Sequence, residues 1–447
     1  MTSPRRENGT LPDPRSLVDD APMSRAQWGT VAVMVGLNAL DGFDVLSISF
    51  ASPGIAAAWG IDRAALGIVL AMELIGMAIG SVVLGGVADR IGRRSTILTC
   101  LLVMAGGMFG AATAQDVTTL SIWRVLTGLG IGGMLAATNA AVAEAANARR
   151  RALCVVLMAG GYPVGSVVGG SISALLLVHY DWQAVFIFGG LATLAFIPLV
   201  LWAAPESIAF LLHRRPMNAL SRINHVLVRM GHAPVASLPA PEPKPQGVPV
   251  AQLFATPLAR TSVLLTLAYF AHIMTFYFIL KWIPKIVADM GFAPSDAAGV
   301  LVWASVGGAM GSLLLGLLTI RARLVPLTVG AMLLSVILVV LFGRGSANIP
   351  ALSLVAAMAG FATNAGVVGL YAIIAEVFPT HLRATATGFV IGVGRGGSAL
   401  APVIAGFLFV AGYGLATVAL LMALGSLVAA GALMVLRPDK TERSYGK

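Results

Sequence analysis

The sequence predicts an all-α membrane protein whose twelve transmembrane helices form two pseudo-symmetric six-helix bundles. Hydrophobic residues make up 58% of the chain and charged residues only 11%, against about 25% charged in an ordinary soluble domain. Apolar runs of about 20 residues, the length that crosses a bilayer, recur throughout. The second half of the chain also repeats the first, and these observations together predict the fold class.

Twelve apolar runs are long enough to cross a bilayer. Their approximate bounds are 28–50, 65–87, 95–114, 120–143, 152–178, 183–203, 260–283, 297–319, 324–342, 351–376, 385–409 and 412–436. The 51 glycines fit such a protein, because small residues let membrane helices approach closely. The pairs Gly165 with Gly169 and Gly307 with Gly311 therefore predict close helix contacts.

Arginine is concentrated in alternate loops. The short loops after the second, fourth, eighth and tenth runs are basic, whereas the others hold little beyond Arg63 and Arg344. By the positive-inside rule the basic loops are cytoplasmic, and so are both termini. We therefore expect a multi-pass protein of the inner (cytoplasmic) membrane, whose net charge of +10 reflects topology and not a nucleic-acid partner.

The segment 204–259 divides the chain. It begins at Pro205-Glu206-Ser207, and its stretch from Leu238 to Pro245 is too rich in proline for a continuous helix. Residues 1–26 lack the apolar core of a cleavable signal peptide, so we expect no cleaved leader. The predicted parts are a cytoplasmic tail (1–27), a six-helix bundle (28–203), a cytoplasmic linker (204–259), a second six-helix bundle (260–436) and a cytoplasmic tail (437–447).

The two halves repeat each other at a shift of 232 positions, as from Gly128 to Gly360. Such repeats are the usual construction of secondary transporters, in which the substrate site lies near the midplane between the halves. The repeat therefore predicts a central site. Other residues superposed by this shift are Glu144 on Glu376, Arg151 on Arg383, Gly160 on Gly392 and Gly165 on Gly397.

Two motifs carry a resemblance to a known family. The segment Gly85 to Arg94 (GGVADRIGRR) resembles the signature loop of the major facilitator superfamily, and Arg124 to Gly133 resembles its fourth-helix motif. Within that superfamily, Asp41-Gly-Phe-Asp44, the Pro205-Glu-Ser turn and the segment Arg383 to Arg395 resemble the aromatic acid:proton symporters. The resemblance implies the major facilitator fold and proton-coupled import of a small aromatic carboxylate, such as benzoate or a hydroxybenzoate.

Four ionisable residues are candidates for proton coupling. Asp41 and Asp44 lie on one face of the first run, and Glu73 lies near the middle of the second. Acids within membrane helices usually face a bundle interior or a wet cavity and serve ion or proton pathways. His272 lies near the midplane of the seventh run and can titrate near neutral pH. The alternatives are a structural ion pair for the aspartates and simple packing for the histidine.

Arg124 is expected to lie at the level of Asp44. At ~1.5 Å per residue, Asp44 is roughly 24 Å above the cytoplasmic start of its helix. Arg124 is about 6 Å below the outer surface of a core about 30 Å thick. The two side chains are therefore predicted to pair, and Arg124 also becomes a candidate for substrate binding. The alternative is that Arg124 anchors helix packing through backbone carbonyls.

Arg395, about 15 Å into the eleventh run, is the preferred anchor for the substrate carboxylate. A guanidinium fork matches carboxylate geometry. The alternative is a structural bridge from Arg395 to an acid such as Glu73 or Asp41. Further candidates for the binding site are Asn364 as a donor and Tyr269, Phe276 and Tyr371 as aromatic walls, with packing as the alternative for the aromatics.

Charged residues at the cytoplasmic helix ends predict a gate, whose ion pairs form in one conformation and part in the other. Helix capping and topology are the alternative explanation. Lys281, near the outer end of the seventh run, is expected to snorkel to the interface. The candidate gate residues are Asp89, Arg90, Arg93, Arg94, Glu144, Arg151, Glu376 and Arg383.

The sequence contains no catalytic arrangement: we find no Walker-type phosphate loop, no metal-ligand cluster and no nucleophile paired with a base. An enzyme, an ATP-driven pump, a bound metal and a cofactor are therefore not expected. The expected partners are the aromatic carboxylate, protons and the bilayer, and the protein is expected to act as a monomer. The remaining alternatives are a drug or metabolite antiporter of the same fold and a membrane solute sensor that does not transport.

Overall fold

The computed structural model describes residues 13–239, 249–255, 258–345 and 348–436. Within these ranges, twelve helices are long and apolar enough to cross a membrane, which confirms the predicted all-α membrane fold. These membrane helices are α2 to α7 and α10 to α15. The helices are α1 (Pro14–Asp20), α2 (Arg25–Trp59), α3 (Arg63–Ile91), α4 (Arg93–Ala112), α5 (Val117–Ala145), α6 (Arg151–His179), α7 (Gln183–Ala203), α8 (Ile208–Arg214), α9 (Ala219–Arg229), α10 (Ala259–Asp289), α11 (Pro294–Leu318), α12 (Leu324–Gly343), α13 (Ile349–Val377), α14 (Thr380–Val410) and α15 (Leu415–Val435), with a short 3-10 helix at Val250–Phe254.

The predicted runs coincide with the membrane helices to within a few residues, and the largest difference is at α2. This helix continues from the predicted end at Phe50 to Trp59, and it contains Pro53. Proline is tolerated inside membrane helices when neighbouring groups satisfy the freed carbonyl. The helix ends instead at Gly60, whose φ of 59° is readily adopted only by glycine.

The two bundles are built from equivalent contacts. In the first, α3 packs on α5, α2 packs on α6, and α4 packs on both α5 and α7. In the second, α11 packs on α13, α10 packs on α14, and α12 packs on both α13 and α15. Each pair in one half has its counterpart in the other, so the repeat predicted from the sequence is confirmed in three dimensions.

Glycines set the distance between these paired helices. A Cβ atom at Gly165 of α6 would lie 1.6 Å from the carbonyl oxygen of Ala39 on α2. A Cβ atom at Gly307 of α11 would lie 1.8 Å from the carbonyl oxygen of Ala357 on α13. The backbones are therefore in direct contact, which confirms the predicted close approach at both glycines.

The halves meet where α3 packs on α14, α6 on α11 and α2 on α10. Near Arg63 the contact is between backbones, since a Cβ atom at Gly67 would lie 2.5 Å from the carbonyl oxygen of Pro402. We call this side of the molecule, where α3 begins, the Arg63 end. The opposite side, where α4 begins, is the Arg93 end.

Three short helices pack together at the Arg93 end. Apolar residues of α1, α8 and α9 form a small core that includes Val18, Leu211 and Leu227. The predicted linker thus contains two helices before its proline-rich stretch. Of the predicted linker and tails, residues 1–12, 240–248, 256–257 and 437–447 lie outside the described residues.

Candidate functional site

Two carboxylates of α2 lie in the interior of the protein. Asp41 and Asp44 are 2% and 0% exposed, because α5, α6, α7 and α10 all pack on α2. Among the described residues, no hydrogen-bond partner is found for any oxygen of either carboxylate. Unpartnered acids at this depth are groups that can hold and exchange a proton.

A second group of charged side chains forms between three other helices. Glu73 of α3, Arg124 of α5 and Lys281 of α10 are all fully buried. The Glu73 Oε2 atom lies 2.6 Å from Arg124 Nη2 and 3.3 Å from Lys281 Nζ. Since α3 and α5 belong to the first half and α10 to the second, this carboxylate joins the two halves.

Close packing of α3 on α5 brings Glu73 to Arg124. A Cβ atom at Gly128 would lie 2.0 Å from the carbonyl oxygen of Glu73, and one at Gly132 would lie 2.2 Å from that of Met77. Arg124 is one turn before Gly128 on the same helix, so its side chain reaches Glu73. The glycines of the fourth-helix motif thereby position the ion pair.

The structure corrects the expected carboxylate partner of Arg124. The guanidinium pairs with Glu73, and Asp44 offers only its backbone carbonyl oxygen, 3.1 Å from Arg124 Nη2. The guanidinium also donates to Met108 Sδ at 3.4 Å and lies 5.4 Å from the ring centre of Phe186. Depth along the helices predicted the level of Arg124 correctly, but the rotation of each helix determines which acid it meets.

The structure also corrects the expected position of Lys281. Its side chain is 0% exposed and donates to the carbonyl oxygen of Val45, so the prediction that it snorkels to the interface is wrong. Lys281 lies two turns before the end of α10 at Asp289, or about 12 Å along the helix. The prediction failed because α10 continues six residues beyond the predicted end of the run at 283, which places Lys281 inside the helix and not at its end.

Arg395 lies at the contact between α14 and α3. Its Nη1 atom donates to the carbonyl oxygen of Met77 at 2.7 Å, which links the two halves. The side chain is only partly buried. No ion pair to an acid is found for it among the described residues, so the expected alternative of a bridge to Glu73 or Asp41 does not occur in this conformation.

Two of the predicted aromatic residues lie together. The hydroxyls of Tyr269 on α10 and Tyr371 on α13 are 2.9 Å apart, and Tyr371 is 40% exposed. Phe276 is partly buried and packs edge-on against Tyr277. Asn364 donates to the carbonyl oxygen of Gly308 at 2.8 Å, so its amide bridges α13 and α11.

His272 is fully buried inside the second half. One ring nitrogen lies 2.9 Å from the Ser426 hydroxyl and the other 2.8 Å from the carbonyl oxygen of Thr363. The position of Gly366 makes room for the ring, because a Cβ atom there would lie 2.3 Å from Nε2. Both ring nitrogens of His272 therefore have partners within its own bundle.

The candidate gate residues lie at the Arg93 end. Arg93 pairs with Asp89 at 2.8 Å and with Glu144 at 3.2 Å, while Arg151 pairs with Asp19 at 2.5 Å. All five residues belong to the first half or to the segment before it. In this conformation these ion pairs do not join the two halves.

The remaining candidate gate residues form no ion pairs among the described residues. Arg94 donates to the carbonyl oxygen of Leu201 at 2.8 Å, and Arg90 is exposed. Glu376 and Arg383 of the second half are also exposed. Neither has an ion-pair partner in the part of the chain that the structure describes. The second half therefore contributes no described ion pair at the Arg93 end.

An ion pair joins the two halves at the Arg63 end, and the sequence did not indicate this contact. Arg63 of α3 pairs with Asp289 of α10 at 2.8 Å. Lys285 also pairs with Asp289, and the Arg63 guanidinium lies 4.9 Å from the ring centre of Phe409 on α14. The only sequence signal was that Arg63 is a rare arginine on the less basic side.

The sequence is similar to a known protein family and to individual members of it. A family model described as the Major Facilitator Superfamily matches residues 34–342 and, again, residues 265–447. The sequence is 30% identical over 425 residues to a gallate transporter of Pseudomonas putida, with 94% of each chain covered. It is 32% identical over 394 residues to the 4-hydroxybenzoate transporter PcaK of Acinetobacter baylyi, with 86% of each chain covered.

A solved structure has the same fold. A D-xylose-proton symporter superposes with a TM-score of 0.71 at 17% sequence identity. The superposition covers 92% of this chain and 98% of that chain. At this identity the similarity concerns the arrangement of the helices and not the ligand.

Proposed function

The chain belongs to the major facilitator superfamily, and we propose that it is a proton-coupled symporter that imports a small aromatic carboxylate by alternating access. The observation that carries the proposal is the set of buried charges between α2, α3, α5 and α10. The relatives named for gallate and 4-hydroxybenzoate, which are both aromatic carboxylates, support the substrate class.

Proton coupling is assigned to the three buried acids, Asp41, Asp44 and Glu73. With Arg124 and Lys281 they make three carboxylates and two cations, so the fully ionised group has a net charge of −1. Uncompensated charge in a protein interior is strongly unfavourable. One proton neutralises the group, and its release restores the charge, which is the property that a proton-coupled carrier needs.

The substrate is proposed to bind between the halves, where two arginines can receive its carboxylate. Arg124 belongs to the buried group, and Arg395 bridges α14 and α3 while staying partly exposed. A planar guanidinium fork matches a carboxylate. The hydroxyl-linked rings of Tyr269 and Tyr371 are the proposed aromatic wall, with Phe276 about two turns after Tyr269 on α10.

We assign the Arg93 end to the cytoplasm, on the basis of the basic loops after the second, fourth, eighth and tenth spans. The protein then lies in the inner membrane, with both termini on the cytoplasmic side. The Arg63 end faces outside, and its contacts between the halves are the outer gate. The Arg63–Asp289 pair joins the halves at this end, which supports the proposal that it holds the outer gate closed.

Replacing Asp289 by asparagine is expected to shift the protein toward the outward-open conformation. The change removes the carboxylate that holds both Arg63 and Lys285. Exposed ion pairs contribute only about 0 to 1 kcal/mol, so the expected shift in the equilibrium is up to about fivefold.

This shift is measured as a distance between spin labels at the exposed positions Thr118 and Ala293, one in each half at the Arg63 end. The native Cys100 and Cys154 are buried, so background labelling is low. Asp181→Asn, at an exposed acid on the same side, is the control. An unchanged distance distribution in the Asp289 variant contradicts the proposed gate.

The function is tested by uptake into proteoliposomes. We expect concentrative uptake of labelled benzoate, 4-hydroxybenzoate or gallate when the outside is acidic, and its loss when an ionophore dissipates the pH gradient. Uptake of the anion alone works against an interior-negative potential by about 2.3 kcal/mol per 100 mV. Cyclohexanecarboxylate, which has the carboxylate without the aromatic ring, is the matched control. Uptake that persists without a proton gradient contradicts symport, and acid-driven efflux of the substrate favours an antiporter.

A further inference from the structure

One carboxylate oxygen forms ion pairs with two cations from opposite halves of the protein. Oε2 of Glu73 contacts Arg124 at 2.6 Å and Lys281 at 3.3 Å, and all three side chains are 0% exposed. Among the described residues, the other oxygen of Glu73 and the Nε atom of Arg124 have no hydrogen-bond partner. Two positive charges therefore share one carboxylate, and the Nε–H donor of Arg124 has no described acceptor.

The surroundings of this cluster contain few other charges. Among the described residues, the ionisable groups of neighbouring helices that are close enough to feel the charge of Glu73, besides Arg124 and Lys281, are Asp41 and Asp44 on α2 and the hydroxyls of Tyr162 and Tyr277 on α6 and α10. On α14, Arg395 contacts α3 at Met77, one turn beyond Glu73. Among the described residues, Arg124 and Lys281 are thus the cations in direct contact with a carboxylate at this point.

We propose, on the basis of the proposed symport, that Arg124 and Lys281 form the binding site for the substrate carboxylate and that Glu73 occupies this site in the empty carrier. A protonated Glu73 no longer neutralises the two cations. The carboxylate of the incoming acid then takes its place, and the proton that Glu73 binds comes from the solution with the acid. Asp41 and Asp44 remain the groups assigned to proton exchange.

This arrangement makes proton and substrate interdependent. The proton on Glu73 adds one positive charge to the buried group, and the bound carboxylate adds one negative charge, so together they leave its charge unchanged. The starting state is the neutral group, in which Asp41 or Asp44 already holds one proton. From this state a proton on Glu73 alone leaves a charge of +1 and a bound carboxylate alone leaves −1, and either uncompensated charge in the interior is strongly unfavourable. The site therefore predicts one proton bound for each acid bound.

The position of the cluster suits a site between the halves. By helical rise, Glu73 lies about 15 Å from the start of α3, Arg124 about 10 Å from the start of α5, and Lys281 about 12 Å from the end of α10. All three depths are measured from the Arg63 end, and the Arg63–Asp289 pair lies on the same two helices, α3 and α10, as Glu73 and Lys281. Opening that gate exposes the cluster to the outside. Because Lys281 belongs to the second half, an acid bound there joins the halves as Glu73 now does.

The inference is tested by equilibrium binding to the purified full-length protein in lipid nanodiscs. The probe is whichever of benzoate, 4-hydroxybenzoate and gallate the wild type binds most tightly. We expect wild-type binding at least tenfold weaker at pH 8 than at pH 6, with about one proton taken up per acid bound. In Glu73→Gln, which keeps the shape of a protonated acid, binding at the two pH values should agree within threefold and proton uptake should vanish.

Lys281 provides an independent test. Lys281→Gln is expected to weaken binding at least tenfold at both pH values, and Lys281→Arg should restore most of it. Asp62→Asn, at an exposed N-cap on the same helix as Glu73, is the control, because asparagine caps as well as aspartate. Thermal unfolding of each variant shows whether it is folded. If a variant does not fold, the number of protons that the wild type takes up per acid bound still tests the inference.

The outcomes separate this inference from the proposed function. If the wild type accumulates the acid but Glu73→Gln keeps the wild-type pH dependence and proton uptake, the carboxylate site is wrong and symport stands. Normal binding by Lys281→Gln overturns the site in the same way. If the wild type binds the acid with one proton but does not accumulate it under a pH gradient, symport is wrong and the site stands.

Discussion

Asp41→Asn and Asp44→Asn are each expected to abolish accumulation of the acid under a pH gradient. An amide has nearly the shape of a carboxylate but cannot exchange a proton. Neither aspartate side chain has a hydrogen-bond partner among the described residues, so the substitutions break no described bond. We therefore expect the amount of folded protein in the membrane to stay close to that of the wild type.

The measurement is concentrative uptake in proteoliposomes, with the protein content of each preparation matched. Asp116→Asn is the control, because Asp116 is an exposed N-cap whose exchange for asparagine preserves capping. The backbone N–H and the hydroxyl of Thr119 donate to Asp116 and hold its pKa below the usual value, so its charge is constant over the assay range. Wild-type accumulation by both amide variants contradicts the assignment of the aspartates to proton exchange.

Gly165→Ala is expected to prevent stable folding of the first bundle. The added methyl group would lie 1.6 Å from the carbonyl oxygen of Ala39, and both atoms belong to or sit directly on the backbone. No side-chain rotation relieves such a contact, so α2 and α6 must separate. Overpacking of a core commonly costs about 1 to 3 kcal/mol, and a backbone clash is expected at or above the upper end of that range.

The matched control is Gly160→Ala on the same helix, where the added methyl group meets nothing within 4 Å. Because alanine favours helix by about 1 kcal/mol over glycine, this variant should be as stable as the wild type or more so. The readout is the monodisperse fraction after heating in detergent. Equal stability of the two variants would show that α2 and α6 are not in backbone contact at Gly165.

Much of the fold was predictable because its signals are local. A run of apolar residues predicts a membrane helix. Residues that recur at one fixed shift, such as Glu144 and Glu376, predict a duplicated half. Acids inside such runs are conspicuous for the same reason. Asp41, Asp44 and Glu73 were therefore found as candidates from the sequence, and the structure buries all three side chains.

The contacts among those candidates were decided by tertiary structure. Helical rise gives the depth of a side chain along its helix, and it placed Arg124 and Asp44 at one level. It does not give the rotation of each helix or the partner that it faces. The structure turns Arg124 toward Glu73, and it brings Lys281 from the other half to the same carboxylate. The sequence by itself determined which charges enter the membrane, and only the packing of α3, α5 and α10 decided which of them meet, because a contact depends on the orientation of three helices that are far apart in the chain.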